Sequence, residues 1–474
     1  MNDQDKDIKS LPQWAQDLIF HLQNQVKELS AKVADLTARV DYLEGKLAKN
    51  SSNSGKPPAS DGLKKPPKTK SQREKSGKKV GGQKSHEGKT LKQVANPDKV
   101  TTHSPDECTK CKANLNRVEG ACIEKRQVFD LPKPEHEVTE HQLIAKTCPC
   151  CQNISKGQFP ENVKGPVQYG ERIKALSVYF GHKHFIPFDR LSEIFEDIFG
   201  IAVSSGTCSN IEKRLHQHLE GFESALKEHL LMARELHFDE TGMRSEKKLN
   251  WVHVVSSGEA TFYGMHEKRG QEAIEEFNIL PRYRGYAIHD HWKPYFHYGG
   301  VKHSLCNAHH LRELKFIYEE EKEPWAEKMK KMLLQAKKES ESKDLTEERI
   351  LAVKAEYAKI VMEGIVHHLK LGQLEEGSNK KRAGHNLLNR LADHHECVLR
   401  FVTDKTPFTN NLAEQDIRMV KLKQKISGCF RQRKRGEMFC RIRSYISTSR
   451  KQAWNVWDAL AEAVAGRPRS LQFA

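Results

Sequence analysis

Long apolar runs are missing from this chain. None approaches the ~20 residues that cross a bilayer. The start, Met1-Asn2-Asp3-Gln4-Asp5, has neither the basic opening nor the apolar core of a secretory signal. The expectation is a chain of the cytoplasm with no membrane partner. Apolar residues are scarce throughout, at 37% of 474. That is few for one compact globule, so part of the chain is expected to be solvated or elongated. Acid is in deficit: 63 Asp and Glu stand against 79 Lys and Arg, a net charge of +16. The surplus argues for a polyanionic partner and says nothing about fold. The eleven cysteines are an odd number, and in the cytoplasm they suit metal ligands or buried thiols better than a disulfide framework. A phosphate-cradling loop is also absent. Gln83 stands where Gly88-Lys89-Thr90 would need its first glycine, which excludes a P-loop ATPase.

What is present falls into segments. Over 1–48 the apolar residues keep a 4-3 spacing, with Val26, Val33, Val40 and Leu47 at a and Leu22, Leu29, Leu36 and Leu43 at d. Valine at a with leucine at d favours a parallel two-stranded coiled coil, hence a homodimer or larger assembly. Residues 49–95 read as a basic linker. Its Pro, Ser and Gly cannot pack a core, and twelve Lys or Arg between Asn50 and Lys92 face only Asp61, Glu74 and Glu87. Such a tract binds phosphate backbones without reading sequence. Within 100–155, Cys108-Thr109-Lys110-Cys111 and Cys148-Pro149-Cys150-Cys151 flank a stretch that reads as β-rich. Two such knuckles fit a structural zinc ribbon, closed by four thiolates. Cys150 competes with Cys151 for the fourth place. Residues 165–232 read as helical. Leu191 to Phe199, Gly200, and then Ser204-Ser205 leading into Ile211 to Leu219 fit a helix-turn-helix weakly; a plain pair of packed helices is favoured.

The centre of the chain is Glu235-Leu236-His237-Phe238-Asp239-Glu240-Thr241-Gly242. The alternation reads as a buried strand that ends in Asp239 at a Thr-Gly turn. Asn250 to Ser256 and Ala260 to His266 read as a hairpin behind it, and Gln271 to Leu280 as a helix. Gly285-Tyr286-Ala287-Ile288-His289-Asp290-His291-Trp292 repeats the form, with Asp290 after a short strand. Glu414 lies near the start of a later helix. Carboxylates at two strand ends and one helix suit two divalent cations that clamp a phosphoryl displacement. A capping box, Asn411-Leu412-Ala413-Glu414, accounts for the third acid without metal, and Asp416 would then be the next candidate. Cys306-Asn307-Ala308-His309 has the spacing of half a zinc site; with no partners visible, a local structural role is favoured. Glu414, Arg418, Lys421 and Lys425 share one helix face, and Arg431, Arg433, Lys434, Arg435, Arg441 and Arg443 extend the positive charge. Such a face places DNA beside the acids.

His237-Phe238-Asp239-Glu240-Thr241, Ile288-His289-Asp290-His291-Trp292, Leu305-Cys306-Asn307-Ala308-His309-His310-Leu311-Arg312-Glu313-Leu314 and Asn410-Asn411-Leu412-Ala413-Glu414-Gln415-Asp416-Ile417-Arg418 occur in that order. With Lys425-Ile426-Ser427-Gly428-Cys429-Phe430-Arg431, they resemble the motifs of the insertion-sequence 66 (IS66) family of bacterial transposases. The family has a similar zipper-like start and a Cys/His signature after its second Asp. The resemblance implies an α+β multidomain chain: coiled coil, zinc ribbon on Cys108, Cys111, Cys148 and Cys151, and a ribonuclease-H-like α/β catalytic core. That core would span 233–440, with a helical insertion at about 313–390, before a C-terminal helical element at 441–474. It implies Asp239, Asp290 and Glu414 as a DDE triad holding Mg²⁺ or Mn²⁺. The implied substrates are the element's terminal inverted repeats and target DNA; accessory proteins of the same element are further candidate partners. Two rivals stay open, a non-catalytic zinc-ribbon DNA-binding protein and a metal-dependent nuclease that cuts without joining.

The heptads carry a first prediction. Residues 1–48 should form a dimer in sedimentation experiments, and Val33→Asp, which puts a charge in the seam, should shift it toward monomer. A wild-type fragment that stays monomeric at high micromolar concentration contradicts the assignment.

Overall fold

The heptad segment forms one helix, α1 (Gln13–Ala48), in the computed structural model, which describes residues 12–48, 91–342, 344–371 and 382–471. The a and d residues from Leu22 to Leu43 are exposed, Leu29 at 60% and Val33 at 62%, so one chain leaves the seam uncovered. Most of the basic linker lies outside the described residues. Among those described, no helix is long and apolar enough to cross a membrane.

The chain divides into two units, one of Met1–Thr69, Leu143–Glu193 and Val203–Ala474, the other of Lys70–Gln142 and Ile194–Ala202. In the smaller unit the expected β-rich stretch does not form: no strand occurs between the knuckles up to Ile144. Ile123 (98% exposed), Val128 and Leu131 bury no apolar face, and Pro132 and Pro134 lack ladder donors. Local bonds pin the segment instead: Gln93 Nε2 donates to Lys125 O, and Val94 exchanges backbone bonds with the Gln127 side chain. The strands that do form, β1 (Ala145–Thr147) and β2 (Ile154–Lys156), pair antiparallel around the second knuckle in the larger unit.

The larger unit then continues through α2 (Glu171–Val178), a π-helical turn, the first half of α3 (Phe188–Phe199), and, from Val203 on, α4 (Ser205–His218) and α5 (Glu220–Met232). Gly200, at φ +63°, follows α3, and the Ser204 hydroxyl caps α4 by accepting from Thr207 N–H, as the turn chemistry predicts. A five-stranded mixed sheet follows: β3 (Glu235–Ser245), β4 (Lys248–Ser256), β5 (Thr261–His266), β6 (Tyr286–His289) and β7 (Lys302–Leu305), in the order β5-β4-β3-β6-β7. The first three are antiparallel; β6 and β7 run parallel to β3. Between β5 and β6 lies α6 (Gln271–Phe277).

One expectation fails here. Asp239 does not end its strand. Thr241 and Gly242 stay in β3, paired with Val252 and Trp251, and the chain turns at Glu246-Lys247, both in the left-handed region. The long antiparallel pairing with β4 overrides the local Thr-Gly signal.

The strand period sorts the sheet into two faces. Leu236, Phe238, Val255 and Phe262 join one core with residues of α4, α5 and α6. Met243, Val252, Val254, Tyr263 and Met265 join another with Ile417 and Val420 of α12 (Asn411–Ser427) and Phe439 of α13 (Arg433–Lys451). A separate core, around Trp325, Met329, Leu333, Tyr357 and Leu388, holds α7 (Asn307–Glu320), α8 (Pro324–Ser342), α9 (Glu347–Leu371), α10 (Ala383–Asp393) and α11 (His395–Thr403). Last comes α14 (Val456–Val464).

Helix α13 lies against edge strand β5. Its Thr448 and Ser444 hydroxyls accept from Thr261 and Tyr263 N–H, which covers an edge that would otherwise present free donors. Asp416 of α12 accepts from Ser256 Oγ (2.7 Å), Thr261 Oγ1 (2.9 Å) and Lys451 Nζ (2.9 Å). Asp416 is thereby a structural anchor with its charge matched. Asp416→Ala should lower stability by about 3 kcal/mol, because Lys451 is left without its acid among largely buried partners. Thermal melts measure this; an unchanged melting temperature would show that the network carries no weight.

Candidate active site

The fold brings Asp239, Asp290 and Glu414 together. Asp239 shares a face of β3 with His237 and Met243, the face on which α12 packs. Strand β6 runs parallel to β3 with His237 opposite Ile288, and that register continued by two residues sets Asp290 beside Asp239. Glu414 sits in the first turn of α12. The electrostatics record the convergence. Burial holds the Asp239 carboxyl well above the usual carboxylate range, and the charges of Glu240, Asp290 and Glu414 push it further. Burial also raises Asp290, although the Trp292 N–H donates to its Oδ1 at 2.8 Å. Asp239 accepts from Glu240 N–H at 2.9 Å. Crowded, desolvated carboxylates of this kind fit a divalent cation, the group that would relieve their repulsion.

Asn410 fixes the arrangement. Its Nδ2 donates to Phe238 O (2.7 Å), its Oδ1 accepts from His237 Nδ1 (2.9 Å), and its N–H donates to Cys306 Sγ (3.1 Å). Burial lowers His237 to about 4, so the ring is neutral and donates through Nδ1. Asn410 is also the N-cap residue of α12, yet its side chain makes no cap bond. The rival reading of Glu414, a capping box on Asn411, does not form: the helix starts one residue earlier. Glu240 is held by Arg269 Nε (2.8 Å) and by the Tyr295 hydroxyl (2.6 Å). None of Asn410, Arg269 and Tyr295 stands out in the sequence as a site residue. Only the doubled asparagine ahead of Glu414 hinted at one of them.

The Cys306-x-x-His309 pair has the partner that the sequence hid. Cys306, His309 and Glu414 offer three ligand atoms, all within 4.8 Å of one another. Cys306 Sγ is 3.9 Å and His309 Nδ1 is 4.0 Å from Glu414 Oε1. Burial, then the Glu414 charge, pushes the Cys306 thiol up to about 11. Burial brings His309 down to about 4, so its imidazole is neutral. Its Nδ1 is sealed from solvent and has no hydrogen-bond partner.

The cations expected to face DNA separate into two groups. Arg418, Lys425, Arg431 and Lys434 are exposed. Lys421 turns back to the sheet, donating to Gly242 O at 3.1 Å. Arg433 pairs with Glu267 and Glu437, Arg435 with Glu212, and Arg441 with Glu223. Arg443 is 3% exposed, with its guanidinium over the Phe185 ring. The basic surface is thus smaller than the count of arginines implies.

A family of unknown function matches residues 7–92. No curated protein matches the chain. The model of the transposase IS66 family matches residues 166–438, more than half of the chain, and that span contains all three acids, Asn410 and the Cys306–His309 pair. The chain belongs to the transposase IS66 family.

Proposed function

We propose that the protein is a DNA transposase that cleaves the ends of an insertion sequence and transfers the strands to target DNA, with Asp239, Asp290 and Glu414 as its DDE triad. The observation that carries the reading is the Asp239 carboxyl, raised by burial and then by Glu240, Asp290 and Glu414, the last two from distant parts of the chain. The mixed sheet, with one acid on its central strand and the second at the end of the neighbouring parallel strand, supports a ribonuclease-H-like core. Mg²⁺ or Mn²⁺ held there would activate the attacking oxygen and stabilise the leaving one. The chain's own residues hold the geometry. Asn410 ties the Glu414 helix to the Asp239 strand, and Arg269 with Tyr295 keeps Glu240 from swinging toward Asp290. Exposed Arg418, Lys425 and Arg431 take DNA phosphates without reading bases. A water displaces the 3′-oxygen at the element end, which leaves a 5′-phosphate and a free 3′-hydroxyl; that hydroxyl then displaces the 3′-oxygen of a target phosphodiester, so the joining step exchanges one phosphodiester for another and no ATP is consumed. The work takes place in the bacterial cytoplasm, at the nucleoid, on a dimer paired through α1.

Replacing Asp239, Asp290 or Glu414 with Ala should leave binding to element-end DNA in place, since phosphate contacts dominate affinity. Cleavage should fall by several orders of magnitude. Melting temperature should hold or rise, because each change removes repulsion from the cluster. Near-normal cleavage by Glu414→Ala would remove that residue from the triad. Cleavage by the wild type without strand transfer would favour a nuclease, and binding without cleavage an inactive DNA-binding derivative.

A structural Zn²⁺ on Cys108, Cys111, Cys148 and Cys151 is part of the same proposal. The knuckles repeat each other locally. Lys112 N–H donates to Cys108 O at 3.0 Å and Gln152 N–H to Cys148 O at 2.9 Å, with Lys112 and Gln152 both left-handed, at φ 63° and 58°. The Cys108 thiol is lowered by the backbone of Cys111 and then Lys110; the Cys148 thiol is lowered by Cys151 and then Cys150. Cys151 therefore corresponds to Cys111, and Cys150 to the non-ligand Lys110. In metal analysis of the full chain, Cys151→Ser should lose one equivalent of zinc and Cys150→Ser should keep it. The opposite result would exchange the two assignments.

A further inference from the structure

We infer that Cys306, His309 and Glu414 form a second metal site, for Zn²⁺ or another late first-row ion, which competes with the catalytic cation for Glu414. The consequence for activity rests on the DDE reading above; the site itself does not. Three observations carry it. The ligand atoms converge from separate elements: Cys306 precedes α7, His309 lies in its first turn, and Glu414 lies in the first turn of α12. The donor set is one thiol, one imidazole and one carboxylate, which suits Zn²⁺ and not Mg²⁺, whose preference is for oxygen alone. His309 Nδ1 is sealed from water and unpartnered, a state that costs free energy unless a ligand completes it.

Three protein ligands leave a fourth position for water, the pattern of an open zinc site. Binding exchanges the Cys306 thiol proton for the ion, and the proton goes to solvent; no electron moves. Thiolate and carboxylate together cancel the ion's charge. Glu414, drawn toward Cys306 and His309, is then withdrawn from Asp239 and Asp290. A trace transition metal would hold the enzyme off until a chelator or a competing protein removes it.

The test uses the full chain, stripped of metal, re-equilibrated with Zn²⁺ in the presence of excess Mg²⁺, and analysed for bound zinc. Cys306→Ser, His309→Ala and Glu414→Gln should each bind one equivalent fewer than wild type, whatever the knuckles retain. Circular dichroism identifies any variant that fails to fold, and the remaining variants then decide. Folded variants that bind as much zinc as wild type overturn the site. In a second arm, Zn²⁺ added to the Mg²⁺ reaction should lower wild-type cleavage about tenfold or more, reversibly on chelation, given the greater affinity of late first-row ions for such ligands. Zinc bound at the site with cleavage undiminished overturns the competition. No cleavage with Mg²⁺ alone, while the zinc equivalents differ as expected, counts against the transposase reading and leaves the metal site standing.

Discussion

The crowding of carboxylates around Asp239 is the constraint on which the site's architecture depends. Burial strips the Asp239 carboxyl of water, and the charges of Glu240, Asp290 and Glu414 act on it more strongly there than they would in solvent. Left to itself such a cluster would open. Backbone holds it closed: the ladder between β3 and β6 sets the first two acids, and Asn410 sets the third by bonding to the strand that carries Asp239. Neutral His237 completes the latch at no cost in charge. The strain of holding acids together is therefore borne by hydrogen bonds whose partners are sequestered from solvent, where they are strongest.

Charge elsewhere is treated differently. Asp416, two residues from Glu414, meets Lys451 and two hydroxyls and is fully matched. Helical geometry turns residues two apart to different sides, so near neighbours in sequence meet opposite surroundings, Asp416 a matched cation and Glu414 another acid. Several arginines of α13 are likewise consumed by internal acids. A cation counted in the sequence is available to DNA only if the fold has not already paired it.

Much of this was legible in the sequence. The period of Leu236 and Phe238 marks a strand, the 4-3 spacing marks α1, and Ser204 marks the start of α4, because each signal is local. The failures share a cause. Thr241-Gly242 looks like a turn until β4 is laid beside it, and the capping box looks complete until Asn410 is seen bonding to Phe238. Glu414 is 108 residues from Cys306, so no window of sequence could reveal them as neighbours. The β-rich stretch failed for a different reason: apolar residues such as Ile123 and Val128 have the composition of strands but nothing to pack against.

The helical bundle between the second and third acids leaves and rejoins the sheet at one place. Asn307 N–H donates to Phe408 O, and Ser304 and Thr406 share a hydrogen bond, so the exit and return of the chain lie side by side. Helix α12 is then fastened at both ends to β3: at its start by Asn410, and just beyond its end by Phe430, which exchanges backbone bonds with Arg244 and Glu246. The bundle is thus a detour whose length does not enter the spacing of the acids. It could be shortened, enlarged or replaced, and the three acids would be left where they are.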